Sequence, residues 1–351
     1  MSRLGRLYRA ETTFGFVGQA RRWFIVSGVA LLLCLGSLAI RGFNLSLDFT
    51  GGTSITVPNP AGAGVGEVRS VLGLLGGAAR IQLIDDGAAV RVQTEAVDLA
   101  TERDMVRTLV SVTGSEIELT DVESVGPTFG RQIARRALQA LGVFLGVVVV
   151  FISIRFEWKM AVGAIAALIH DLILTAGAYS LLGFEVTPAT VVAVLTILGY
   201  SLYDTVVVYD KIRENIAEDQ ERRTYSALVD RSMNQVLMRS INTSLTSLLP
   251  VGSLLFIGSA LLGAGTLREF ALALFVGIGA GTYSSIFIAA PLLALWKERE
   301  TEWSRRRYRS ERKAARRTVS GPGRARPGPR PGRLSSRGQR ATGVRDRKRK
   351  R

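Results

Sequence analysis

The chain reads as a polytopic α-helical membrane protein with six transmembrane helices and a small α+β domain set between helices 1 and 2. Three observations carry that reading. Of 351 residues, 47% are hydrophobic, and they gather into six stretches near the length of about 20 residues that a helix needs to cross a bilayer. The segment 43–135, between the first two stretches, is too long for a connection and has its own strand and helix rhythm. Charge is unevenly spread: residues 297–351 hold 22 Lys and Arg against 5 Asp and Glu, net +17, whereas residues 1–296 hold 23 against 24. The basic composition therefore describes a tail, and a nucleic-acid reading rests on that tail alone. One cysteine, Cys34, and one histidine, His170, leave few ligands for zinc and no intrachain disulfide, so no cofactor is expected.

After an amino-terminal segment 1–22, the first span (23–42) follows the Arg21-Arg22 pair and lacks a small-residue cleavage site, which marks a retained helix. Further spans fall at 136–155, 160–182, 187–209, 241–262 and 268–296. Six crossings put both termini on one side. Arg3, Arg6, Arg9, Arg21 and Arg22, opposed only by Glu11, make that side cytoplasmic. Arg155, Lys159, a cytoplasmic loop 210–240 with six Lys and Arg, and the tail 297–351 fall on the same side. Segment 43–130, with 12 acids against 5 bases, falls outside; only Arg131, Arg135 and Arg136 dissent.

Within 43–135, alternation over Thr53 to Val57 predicts a strand, and Val65 to Leu75 a helix with Val68, Leu72 and Leu75 on one face. Ile81 to Ile84 and Ala89 to Gln93 flank the Asp85-Asp86-Gly87 turn as two strands. Asp98 caps a helix to about Val112, and Glu116 to Val125 alternates as a last strand. The order βαββαβ is that of a ferredoxin-like, extracytoplasmic domain.

Ionisable residues inside spans are costly and usually face a bundle interior or a pathway. Thr187 and Pro188 read as the cap and first residue of the fourth helix, which places Asp204 about 24 Å along it. Tyr200 lies one turn earlier on the same face. The fifth span opens at the same depth with Arg239, Asn242, Thr243 and Thr246 at helical spacing. A carboxylate and a guanidinium at one depth suggest a pair, either a static lock between helices or a titrating pair on a proton path. Arg239 also fits a plain interfacial anchor. Asp171 and His170 lie near the middle of the third span; being adjacent, they point about 100° apart and share no simple partner. Asp171 is a second proton-transfer candidate, and His170 a hydrogen-bonded interior residue.

Weaker signals carry less. Gly142/Gly146 and Gly277/Gly281 have the spacing of close helix contacts. Gly62-Ala-Gly-Val-Gly66 imitates a phosphate loop but lacks the terminal Gly-Lys-Ser/Thr. Gly321 to Gly338, rich in Pro, Gly, Ser and Arg, predicts a disordered tail suited to anionic lipid or the ribosome.

Five motifs in register then resemble one family. They are Asp48-Phe-Thr-Gly-Gly-Thr53 after the first span, Val125-Gly-Pro127 before the second, the Tyr200-Ser-x-x-Asp-Thr-Val-Val-Val run, Ile241-Asn-Thr-Ser-Leu-Thr246, and Gly281-Thr-Tyr-Ser-Ser-Ile-Phe-Ile-Ala289 before Pro291. Over about residues 20–296 the chain is similar to the SecD/SecF family of bacterial Sec protein translocase subunits. The resemblance implies a multi-pass protein of the bacterial cytoplasmic membrane that pairs with SecD, the SecYEG channel and a YidC-type insertase. It implies no catalytic reaction, but use of the proton-motive force to complete the export of polypeptides, on a helix arrangement similar to half of a resistance-nodulation-division transporter. By that likeness Asp204 and Arg239 match residues associated with proton transport, and Asp48, Gly51 and Gly52 lie in the motif at the end of the first helix. Tyr203 departs from the asparagine usual there. A passive scaffold for emerging chains and a half-size exporter of small molecules are the rival readings.

Overall fold

The computed structural model describes residues 14–76, 79–220, 223–258 and 265–319. Helix α1 (Ala20–Arg41) leads through a two-residue strand β1 (Asn44–Leu45) and one helical turn at Leu47–Thr50 into the domain. There follow β2 (Gly52–Pro58), α2 (Val65–Gly76), β3 (Arg80–Ile84), β4 (Ala89–Thr94), α3 (Leu99–Thr113) and β5 (Asp121–Val125). The remaining elements are α4 (Pro127–Arg155), α5 (Trp158–Leu182), β6 (Glu185–Val186), α6 (Pro188–Ala217), α7 (Tyr225–Ser253), α8 (Gly265–Ser284), α9 (Ala290–Lys297) and α10 (Thr301–Val319). A π turn at Leu254–Gly258 prolongs α7, and another at Ser285–Ala289 joins α8 to α9. Ala20–Arg41, Pro127–Arg155, Trp158–Leu182, Pro188–Ala217, Tyr225–Gly258 and Leu267–Lys297 are thus six helices long and apolar enough to cross a membrane.

The domain has the expected βαββαβ order, with its strands arranged β3-β4-β2-β5 and every neighbour antiparallel. Period-two alternation sends Ile55 and Val57 of β2 and Val90 and Val92 of β4 to one face. There they bury against Val68 and Leu72 of α2 and Met105 and Leu109 of α3. Asp98 caps α3 by accepting the Thr101 N–H at 3.0 Å, and hydrogen bonding from the Thr101 side chain together with that backbone bond holds its carboxyl below the usual range. The last strand is shorter than its alternation suggested: Ile117–Leu119 is a 3-10 turn, and pairing with β2 begins at Asp121.

Three helices outrun the apolar stretches that announced them. Residues 127–135, assigned to the domain, are the first turns of α4, so Arg131, Arg135 and Arg136 lie on an extension of that helix and not on a loop. Of the loop expected at 210–240, residues 210–217 are the end of α6 and 225–240 the start of α7. Its residues are amphipathic: Ile212, Asn215, Leu228, Val229, Ser232 and Met233 are buried, and Asn215 Nδ2 donates to Ser232 Oγ at 2.7 Å and Gln235 Oε1 at 2.8 Å. Charges on the opposite face hide such a helix from a hydropathy window. Residues 14–17, ahead of α1, strap onto the same region, because Asn234 bonds the Phe14 N–H and C=O and Asp230 accepts the Val17 N–H.

The tail expected to be disordered from 297 begins as structure. Trp303 is buried edge-on against Tyr225 with ring centroids 4.9 Å apart, and Arg306 lies over the Trp303 ring and 3.6 Å from Asp219. The stretch 301–319 is helical. The Gly321–Gly338 segment and Arg3, Arg6 and Arg9 lie outside the described residues, as does the end of the fifth span after Gly258.

Candidate functional site

Thr187 caps α6 through a reciprocal pair with Thr190, and Pro188 opens it, which fixes the phase that turns Asp204 inward toward α7. Asp204 is 7% exposed. Ser240 Oγ donates to its Oδ1 at 2.7 Å, while Oδ2 is buried without a hydrogen-bond partner among the described residues. Arg239 does not close the pair that its depth suggested. It is exposed, and its guanidinium donates to the Tyr203 hydroxyl at 2.9 Å. Consecutive helix residues point about 100° apart. Tyr203–Arg239 therefore forms an outer rung between α6 and α7, and Asp204–Ser240 an inner one.

The other predicted side chains divide in the same way. Tyr200 donates to the Thr243 carbonyl at 2.7 Å and accepts from Ser247 at 2.9 Å, so it ties α6 to α7 without touching Asp204. Thr243 and Thr246 return their hydroxyls to their own helix, at Arg239 O and at Asn242 O and Thr243 O. Asn242 and Thr246 are exposed beside Arg239. This stripe is a polar surface and not part of the buried centre.

Asp171 is the more deeply enclosed carboxylate, with no exposed surface. Ser201 of α6 and Ser284 of α8 both donate to its Oδ2, at 2.6 and 2.7 Å, and His170 Nδ1 lies 3.1 Å from its Oδ1. The two adjacent residues were expected to diverge, yet rotation about their side-chain bonds brings ring and carboxyl together. Around both carboxylates runs a belt of hydroxyls: Thr205 with Ser285 at 2.9 Å, Ser244 with Thr282 at 2.6 Å, and Ser285 donating to the Ser201 carbonyl at 3.2 Å. None of these hydroxyls was predicted as a site residue, although each lies within one of the motifs that carry the family resemblance. The available signal was their spacing, with Ser201, Asp204 and Thr205 on one face of α6 and Ser240 and Ser244 on one face of α7.

Small residues let the helices close around the belt. A Cβ on Gly281 would stand 2.9 Å from that of Ser201, and one on Gly277 would overlap Ile197. A Cβ on Gly142 or Gly146, which have the same spacing, meets nothing within 4 Å among the described residues.

Asp48, Gly51 and Gly52 occupy the joint between α1 and the domain. Asp48 accepts from Ser46 at 3.4 Å in the helical turn. Gly51 has φ 72° and a Cβ there would stand 2.6 Å from Pro127 Cα, while one on Gly52, at φ 131°, would strike the Thr94 carbonyl. Only glycine fits where the turn, β4 and the start of α4 converge. Next to this joint β1 pairs in parallel with β6, and Glu185 of β6 lies 3.8 Å from Arg91 and accepts from Gln93 on β4. The domain is thereby tied to the α5–α6 connection as well as to α1 and α4.

Residues 105–299 match the family described as protein export membrane protein SecD/SecF, C-terminal, and residues 36–58 match the SecD/SecF GG motif. The protein translocase subunit SecF of Streptomyces coelicolor is 43% identical over 86% of this chain and 83% of its own, and that of Mycobacterium tuberculosis strain H37Rv is 42% identical over 84% and 70%. The crystal structure of SecDF, a translocon-associated membrane protein from Thermus thermophilus, superposes with a TM-score of 0.74 at 38% identity, covering 83% of this chain and 39% of that one.

Proposed function

We propose that this chain, which belongs to the SecD/SecF family of protein export membrane proteins, is the SecF-type subunit of a bacterial Sec translocase and couples proton entry to the completion of polypeptide export. The observation that carries the reading is Asp204. Its carboxyl group is buried between α6 and α7, bonded on one oxygen by Ser240 and unpartnered on the other. An ionised carboxylate in that setting is costly, and a proton on Oδ2 removes the cost. A static lock between Asp204 and Arg239 would require a pair that these side chains do not make, since Arg239 bonds to Tyr203.

Arg239, Tyr203, Asn242 and Thr246 form an exposed polar stripe on membrane-length helices. A guanidinium facing lipid is expensive. We therefore place the partner membrane subunit, SecD, against this stripe, where one of its carboxylates can meet Arg239. The channel SecYEG and a YidC-type insertase complete the proposed assembly, in the cytoplasmic membrane with both termini inside. Asp171 is the second proton-transfer candidate. Each proton crossing the membrane releases about 2.3 kcal/mol per 100 mV, and the joint at Gly51–Gly52 together with the Glu185 contacts connects the helices that would shift to the outer domain.

The test is export of a preprotein into vesicles holding the assembled complex, with and without a proton gradient, for the native chain and Asp204→Asn. Asparagine keeps the shape and the bond to Ser240 but cannot ionise. The proposal expects normal assembly with loss of the gradient-dependent part of export. Full gradient-dependent export by the variant would contradict it, and a variant that fails to assemble would make Asp204 a packing residue between α6 and α7.

A further inference from the structure

We infer that His170 and Asp171 form a second proton-binding centre, separate from Asp204, whose state is felt by α1. His170 is the chain's single histidine and is 5% exposed. Two hydroxyls donate to Asp171 Oδ2 while the imidazole Nδ1 meets Oδ1, an arrangement suited to an acceptor-only carboxylate. His170 then donates from Nδ1. Its Nε2 is buried without a hydrogen-bond partner among the described residues.

A neutral imidazole beside an ionised Asp171 leaves one uncompensated negative charge in a fully enclosed site. The groups facing the pair are Ser201 from α6, Tyr283 and Ser284 from α8, and from α1 Ser27, which reaches it through Tyr283, with the Cys34 thiol farther along at Leu174. None of these is a cation. One proton on Nε2 converts the pair to imidazolium and carboxylate with no net charge.

The transmission follows from the ring stacked on His170. Tyr283 lies with its centroid 6.2 Å from the imidazole and an interplanar angle of 26°. Its hydroxyl donates to the Trp23 carbonyl at 3.2 Å and accepts from Ser27 at 3.1 Å, both on α1. An imidazolium over an aromatic face is attracted more strongly than a neutral ring. Protonation therefore tightens an aromatic side chain whose hydroxyl is bonded to the beginning of α1, the helix that leads to the Gly51–Gly52 joint.

A single histidine makes the test direct. The full chain, labelled with ¹⁵N-histidine and reconstituted in lipid bilayers, gives one imidazole spectrum that distinguishes the two neutral tautomers from the cation. The centre predicts an Nδ1–H tautomer in the deprotonated state and an imidazolium that replaces it as the sample is acidified. At the pH where the native chain is half converted, Asp171→Asn should show a ratio of protonated to neutral imidazole lower by about tenfold or more. The conversion should persist in Asp204→Asn, so the result stands or falls independently of that residue's role. A single unchanging neutral form in the native chain on acidification, an unaltered ratio in Asp171→Asn, or loss of the conversion in Asp204→Asn would overturn the inference.

Discussion

Ser240 and Arg239 are neighbours in the chain and meet neighbours on α6, but one rung is buried and the other open. That geometry sets what each substitution does. Arg239→Lys should retain part of the gradient-driven export and Arg239→Ala less, because lysine keeps a charge but loses the planar fork that can hold Tyr203 and a carboxylate together. Equal export by all three would reduce Arg239 to a surface anchor. Depth along a helix was readable from the Thr187–Pro188 start, and it placed Asp204 and Arg239 at one level correctly. The direction of each side chain was not. Asp204 with Ser240 and Asp171 with Ser201 and Ser284 are contacts between different helices, and a pattern on one helix says nothing of the rotation of the next.

At the scale of elements, hydropathy found all six long helices and missed their polar ends. The extension 225–240 of α7 and the start of α10 are held by side chains that a window average discards, such as Asn215, Asp230 and Trp303. A truncation of the tail must respect this. Removal of residues 308–351 should leave thermal stability unchanged, whereas removal from Trp303 onward should lower it in a detergent melt, since emptying a buried tryptophan site costs about 3–5 kcal/mol. Equal melting of both truncations would mean that the Trp303–Tyr225 packing contributes nothing. Acid should loosen the same region. Burial, the largest influence on Glu300, raises its carboxyl, but the bonds and charges of Lys159, 2.8 Å away, and Lys297, 3.4 Å away, outweigh it and hold the group below its ordinary range. A folded-state value below the unfolded one, about 4.3, contributes stability that is complete above that pH and lost as the pH falls through the folded value. Proteolysis of the α9–α10 junction should accelerate below about pH 4.3, and Glu300→Gln should weaken that dependence. Acceleration already between pH 7 and 5 would assign the effect to other groups.

Over the whole molecule, the six helices, the inserted domain and its βαββαβ order were all legible, because each element carries its own periodicity and the domain order is a property of the chain. What joined the parts was not. The β1–β6 pair, the Glu185 contacts with Arg91 and Gln93, and the Tyr283 hold on α1 link residues 92 to 260 positions apart, and no local signal announces them. The β1–β6 pair and the Glu185 contacts add the α5–α6 connection to the domain's joins with α1 and α4, the route by which the proposed proton-driven shift at α6–α7 would reach it. The central claim remains that Asp204 is the group through which protons act. Its most direct measurement is proton flux into liposomes holding the purified complex with its SecD partner, read by an internal pH-sensitive dye under an imposed gradient. The account predicts flux for the native complex and a fall to the level of empty liposomes for Asp204→Asn at equal incorporation, and undiminished flux through that variant would contradict it.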